Sequence, residues 1–269
     1  MYHYSAFGLH IVSDLLLQTV NTIEPTIAID VSIRAGLIDI TLPENPAHLC
    51  ITIPNVAQIV VEHGSRITYQ PAPSCDPDNL RLFILGSAMG AILQQRGLIV
   101  LHANAVSQNG SNATLFIGDS GAGKSTLAAW HYQQKSYLLA DDVCAIYFDE
   151  HGIPRVLPSY PHIKLWQASA DLLGITTNNL AKIRAQDAKY ALAIHEQFLN
   201  KALPVTKILE IHRDAKNAEF SGLTKLTLLQ RHSYRPHFLK RMRLTQSYGA
   251  LLVRLASVVM MGSQARLKL

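Results

Sequence analysis

The chain has 269 residues, 48% of them hydrophobic and 16% charged, with a formal net charge of +5. That is apolar enough to bury a sizeable core, and no stretch is low in complexity, which excludes a disordered or fibrous chain. Three cysteines, Cys50, Cys75 and Cys144, are an odd number without metal-ligand spacing. They argue against a disulfide framework or a zinc site and point to a reducing, cytoplasmic setting.

The opening "MYHYSAFGLHIVSDLL" lacks the basic start and continuous apolar core of a signal peptide. Residues 1–76 predict a β-rich domain suited to substrate recognition. Its runs include "HLCITIP" and "AQIVVEHGSRITYQ", the second folded back at "HGS". The punctuated "QPAPSCDPDN" reads as a linker. A helix over about 77–96 follows, with Gly86 and Gly90 on one face for close packing and Gly97 as its stop. It is too short and too interrupted to span a bilayer, so no membrane association is expected.

Next come the strand "LIVLHANAV", a turn at "SQNGSN", the strand "ATLFI", the stretch "GDSGAGKST", the helix "TLAAWHYQQ" and the strand "SYLLADD". Strands on both sides of one helix predict an α/β layer with the site at the strand ends. Residues 77–269 are read as one domain, and no internal repeat is visible.

"GDSGAGKST" fits G-x-x-x-x-G-K-[ST] at Gly118, Gly123, Lys124 and Ser125, between a strand and a helix as that motif requires. Its glycines let successive N–H groups face a phosphate chain at the positive end of a helix. The ATP phosphates would lie on Gly118, Asp119, Ser120, Gly121, Ala122, Gly123, Lys124, Ser125 and Thr126. Lys124 would reach the β/γ-phosphates, and the Ser125 hydroxyl would ligate Mg²⁺. In "LLADDV" two carboxylates end an apolar strand. One would serve Mg²⁺ and the other would accept a hydroxyl proton. The working assignment is Asp141 as base and Asp142 on the metal, with the order of the pair left open. His102 is either a satisfied core histidine or a site residue. Lys164 in "PHIKLW" and Arg213 in "ILEIHRD" are candidate phosphate contacts, and Lys189 has similar standing. From Ser221 to Leu269 there are nine Lys or Arg and no Asp or Glu. This is either a solvated face or a surface for an acidic acceptor. No nucleic-acid module accompanies it, and no nucleic-acid partner is expected.

The series "LHANAV", "GDSGAGKST" and "LLADDV", with seventeen residues from Lys124 to Asp141, resembles the catalytic domain of bacterial HPr kinase/phosphorylase. The resemblance implies an α/β fold with an HPr-kinase-like, phosphate-loop-containing catalytic core and a smaller β-rich N-terminal region. It implies ATP and Mg²⁺ as cofactors, a serine acceptor, His102, Lys124, Ser125 and Asp141 as functional residues, and a homo-oligomer. Two features depart from it. Thr126 stands where the family has an acidic residue, and the family's glycine-containing signature with its metal-binding glutamate is missing between Pro158 and Gly174. A broader similarity takes in "YSAFGLHIVSDLLL", "LRLFILGSAMGAILQQRGLIVLHANAV", "YPHIKLW" and "RHSYRPHFL". It is to the HPr-kinase-like proteins encoded with lasso-peptide and related peptide-modification genes. It implies a serine kinase of a ribosomally made precursor peptide, acting near the peptide's C-terminus, and a further strand or helix beyond "VVMMGSQARLKL". The alternatives are a kinase of an HPr-like protein or of free serine, and an ATP-binding regulator that transfers nothing.

Overall fold

The computed structural model describes residues 1–25, 28–184, 186–212 and 218–265. The chain forms two compact units, Met1–Leu98 with Arg235–Tyr248, and Ile99–Tyr234 with Gly249–Leu269.

The first unit carries β1 (Tyr2–Ala6), β2 (Leu9–Ser13), β3 (Asn21–Thr22), β4 (Val31–Ala35), β5 (His48–Ile53), β6 (Ala57–Glu62) and β7 (Arg66–Pro71). They form one seven-stranded sheet in the order β3-β1-β2-β4-β7-β6-β5. The expected turn at "HGS" joins β6 to β7. His63 and Gly64 there have φ of 53° and 61°, the left-handed pair that matches strand twist in a tight hairpin. Asp76 caps α1 (Pro77–Phe83), accepting the Asp78 N–H at 2.9 Å, and Pro77 enters the helix where its missing N–H costs nothing.

The single helix expected over 77–96 is interrupted. A π-helical turn, Ile84–Ala88, separates α1 from α2 (Met89–Gln95) at the weak helix formers Gly86 and Ser87. Gly97, at φ 76°, ends it as expected. The Leu98 N–H donates to Leu93 O and the Gly97 N–H to Gln94 O, the paired bonds of a left-handed helix stop. The boundary expected at residue 76 lies instead at 98, because this helical stretch is tied to the β6–β7 turn. Gln95 Oε1 accepts from Gly64 N at 2.8 Å, and Arg96 Nη1 donates to Gly64 O at 2.7 Å.

The second unit contains β8 (Ile99–Leu101), β9 (Ala103–Ser107), β10 (Ala113–Ile117), α3 (Lys124–Gln133), β11 (Tyr137–Ala140), β12 (Cys144–Phe148) and β13 (Pro154–Val156). It continues with β14 (His162–Trp166), α4 (Gln167–Leu172), β15 (Ala181–Lys182), β16 (Lys189–Ala193), β17 (Leu203–His212) and α5 (Gly222–Arg231). After α6 (Pro236–Arg241), which belongs to the first unit, α7 (Thr245–Val258) and β18 (Met260–Ala265) complete the described chain. The main sheet runs β11-β9-β10-β17-β13-β12-β8, with β18 also on β17. A separate small sheet has the order β14-β16-β15. The architecture is mixed α/β with several sheets.

The run "LIVLHANAV", expected as one strand, is two. β8 pairs with β12 and β9 with β10 and β11, while the His102 N–H between them donates to His232 O at 2.8 Å. β9 lies antiparallel to both β10 and β11, so those two run the same way and end at the same edge. Ile117 at the end of β10 is paired with Ala103, and Ala140 at the end of β11 with Ala105. The loop after β10, the carboxylates after β11 and the break at His102 are therefore brought together by strand register.

Helix α3 is fixed over this edge by an apolar cluster. Leu127, Ala128 and Ala129 pack with Val106, Phe116, Leu138 and, from β14, Ile163 and Leu165. No helix among the described residues is long and apolar enough to cross a membrane. Leu127, 2% exposed, anchors the helix that carries Lys124 and Ser125. Leu127→Ala should lower unfolding stability by about 2–5 kcal/mol, read from the midpoint of urea denaturation.

Candidate functional site

The segment from Gly118 to Gly123 leaves β10 and turns directly into α3, so the loop glycines must reverse the backbone within one turn. Gly118 has φ 152°, and a Cβ there would lie 3.1 Å from Ala122 Cβ and 3.2 Å from Ile211 O. Gly123, at φ 103°, precedes the helix, and no side chain caps its first turn. The N–H groups of Lys124, Ser125 and Thr126 are thus left for another acceptor.

Lys124 is buried, and its ammonium folds back onto the loop, donating to Gly118 O at 2.7 Å and Asp119 O at 3.1 Å. Burial draws its pKa below the ordinary lysine value, against the opposing pull of Asp142, Asp141 and Asp119.

Asp141 and Asp142 occupy different surroundings. Asp141 is 4% exposed, and three donors converge on it. Its Oδ1 accepts from Asn104 Nδ2 at 2.5 Å and Ser125 Oγ at 3.1 Å, and its Oδ2 from the Lys164 N–H at 2.7 Å. Burial and the neighbouring Asp142 raise its pKa, against the Lys164 N–H. Asp142, whose φ of 75° turns it away from the strand, faces the cavity. Its Oδ2 accepts from Lys164 Nζ at 2.9 Å, and its Oδ1 lies 3.3 Å from His102 Nε2. Burial alone would raise this carboxyl, but the Lys164 ammonium outweighs it and holds Asp142 well below the usual carboxylate range. The same pair holds Lys164 above the ordinary lysine range despite its own burial. Burial also lowers the His102 pKa to about 4, so at neutral pH the imidazole beside Asp142 is uncharged.

These groups line one cavity of about 290 Å³, together with Thr126, Trp166, Ser169 and Lys189. The expected phosphate loop, His102, Asp141, Asp142 and Lys164 are all brought together. Within the cavity Asp141 accepts from Ser125, while Asp142 accepts from Lys164 and lies beside His102. Arg213 lies outside the described residues. Several members of the basic C-terminal run are engaged within their own unit. Lys225 donates to Ala256 O and Val259 O, Arg241 pairs with Glu44, Arg254 lies 4.0 Å over the Phe148 ring, and Arg231 pairs with Asp119.

Asn104, Trp166 and Ser169 were not singled out from the sequence, and no local pattern marks them. The donor set of Ser125 Oγ with Asp141 Oδ1 suits Mg²⁺, a hard cation that takes few protein ligands and keeps water and phosphate oxygens. No group of three or more His, Cys, Asp or Glu that could hold a metal ion occurs among the described residues.

No protein-family model and no curated protein matches the chain. Among solved structures it is similar to the Hpr(Ser) kinase/phosphatase from Coxiella burnetii. The identity is 14% over 46% of this chain and 78% of that one, and the TM-score of 0.31 is too low to carry a statement about this chain.

His102 should titrate near pH 4 by the chemical shift of its ring protons. Because that value lies below the ordinary 6.5, its contribution to stability is present above pH 6.5 and is lost as the pH falls towards 4. A ring titrating at 6.5 or above would show an imidazole in water or charged against Asp142.

Proposed function

We propose that this chain is an ATP- and Mg²⁺-dependent kinase that transfers the γ-phosphoryl group to a serine hydroxyl, the acceptor being a serine of a ribosomally made precursor peptide. The observation that carries the reading is the meeting of Lys124, Ser125, Asp141 and Asp142 in one cavity at the N-terminus of α3. The precursor-peptide acceptor is supported by the sequence similarity over "YPHIKLW", "RHSYRPHFL" and the N-terminal segment, and a cytoplasmic setting by three unpaired cysteines. A homo-oligomer is implied by the resemblance of the core motifs to HPr kinase/phosphorylase.

The loop amides and the uncapped first turn of α3 bind the phosphates, and Lys124 exchanges its two carbonyl partners for β/γ-oxygens. Ser125 and Asp141 would hold Mg²⁺, which would supply charge to offset that of the phosphates. Asp141 is buried and already accepts three hydrogen bonds, which leaves it less open than Asp142 to an acceptor hydroxyl; a bound cation would keep it ionised. Both carboxylates line the cavity, and Asp142 is the more exposed of the two. It accepts the serine proton as the serine oxygen bonds to the γ-phosphorus and ADP leaves, while neutral His102 and Lys164 orient it. An Asp held below its usual pKa is a weak base, which suits a loose transition state in which the acceptor bond forms late.

Three variants separate the roles. Lys124→Ala should abolish transfer and weaken ATP binding. Asp142→Asn should keep Mg²⁺·ATP affinity while transfer falls by about 10²-fold, the lower end for a positioned base. Asp141→Asn should instead loosen Mg²⁺·ATP before it changes the rate at saturation. Calorimetry for binding and mass measurement of a serine-containing precursor peptide for transfer read these out. Equal transfer by Asp142→Asn and the unaltered chain would remove the base assignment, and phosphorylation of no serine would leave an ATP-binding regulator.

A further inference from the structure

The cavity that holds the loop has a second end which phosphoryl transfer does not use. Trp166, the last residue of β14 and one of two tryptophans in the chain, is 50% exposed and lines it. Directly across the β14–β16 pair stands Lys189, its ammonium over the indole ring as a cation–π contact, 5.4 Å from the ring centre. Three residues after Trp166, Ser169 Oγ lies 2.8 Å from Thr126 Oγ in the first turn of α3.

We infer that the Trp166 indole is the stacking platform for the base of the bound nucleoside triphosphate, with Lys189 beside it to meet the phosphates nearest the ribose. This rests on the phosphoryl-transfer reading above. With Lys124 at the β/γ-phosphates, the amides that follow it along the helix start, ending at Thr126, serve phosphate oxygens nearer the nucleoside. Thr126 is the residue to which Ser169 ties the Trp166 segment, so the nucleoside leaves the loop on that side. Asp142 stands between this side and His102, with Oδ2 towards Lys164 and Oδ1 towards His102. An acceptor hydroxyl arriving from the His102 side therefore does not compete for the ring.

The chemistry fits an aromatic base joined to an anion. A flat apolar face stacks on any nucleobase, and an adjacent ammonium neutralises phosphate. Stacking does not read the base edge, so the platform takes adenine and guanine alike.

The experiment measures Mg²⁺-supported binding of ATP, GTP and inorganic triphosphate by calorimetry to the full chain, to Trp166→Ala and to Trp166→Phe. Trp166→Ala should weaken ATP and GTP by roughly tenfold, the weight of one stacked base, while triphosphate affinity stays unchanged. Trp166→Phe should restore most of the loss. Retained triphosphate binding shows that the variants are folded at the loop. Equal weakening of triphosphate and ATP overturns the inference, as does unchanged ATP affinity with a raised KM for the peptide acceptor, which would assign the ring to the acceptor. If the unaltered chain binds none of the three ligands, the phosphoryl-transfer reading fails and the platform with it. If it binds ATP but no variant differs from it, the platform alone fails.

Discussion

Two adjacent carboxylates closed into the interior of a protein repel each other and lose their hydration, and the site depends on how that cost is met. One residue of β14 meets most of it. Lys164 gives its backbone N–H to Asp141 and its ammonium to Asp142, so a single backbone position fixes both side chains. A buried ion pair with one partner removed leaves an uncompensated charge, which is why such pairs hold their surroundings together even where they add little net stability. The small sheet that supplies Lys164 is separate from the main one, and its contact with α3 through Ile163 and Leu165 keeps it in register with the carboxylates.

The two aspartates are driven apart in proton affinity by that same arrangement. Asp141 sits among donors yet is deprived of water, and Asp142 has a cation against it. Neighbouring acids held in unlike surroundings can take unlike roles from one dipeptide. The left-handed backbone at Asp142 is the local means: it rotates the second side chain out of the strand alternation and into the cavity.

The parts of this site that were legible from the sequence are contiguous: the glycine loop, the helix after it and the Asp pair each announce themselves within a few residues. The parts that were not depend on pairing at a distance. Lys164 is recognisable as a charged residue in an apolar strand, but its double contact requires β14 to arrive beside β11, which no local pattern specifies. Asn104 sits between alanines, as small polar residues in strands often do, and only the register of β9 against β11 reveals its partner. The division of "LIVLHANAV" at His102 was hidden because apolar periodicity continues through the break; what ends the strand is a hydrogen bond to His232, more than a hundred residues on. The boundary at 98 in place of 76 has a similar cause, since Gln95 and Arg96 bond to a turn formed before the linker. The partners of the basic C-terminal run are likewise not local: Arg241 pairs with Glu44, Arg231 with Asp119, Lys225 with helix-end carbonyls, and Arg254 lies over an aromatic face.

The folded-back ammonium of Lys124 sets a threshold for anything entering the loop. An anion must offer that ammonium more than the two carbonyl oxygens it surrenders, and must do so where burial already disfavours its charge. A single small anion can satisfy the lysine or the helix amides but spans only part of the cradle. A polyphosphate chain reaches both at once, and its extra charge repays the released carbonyls through water-poor surroundings that strengthen attraction. The two carbonyl contacts of Lys124 therefore weigh against a single small anion such as orthophosphate or sulfate more than against a longer phosphate chain.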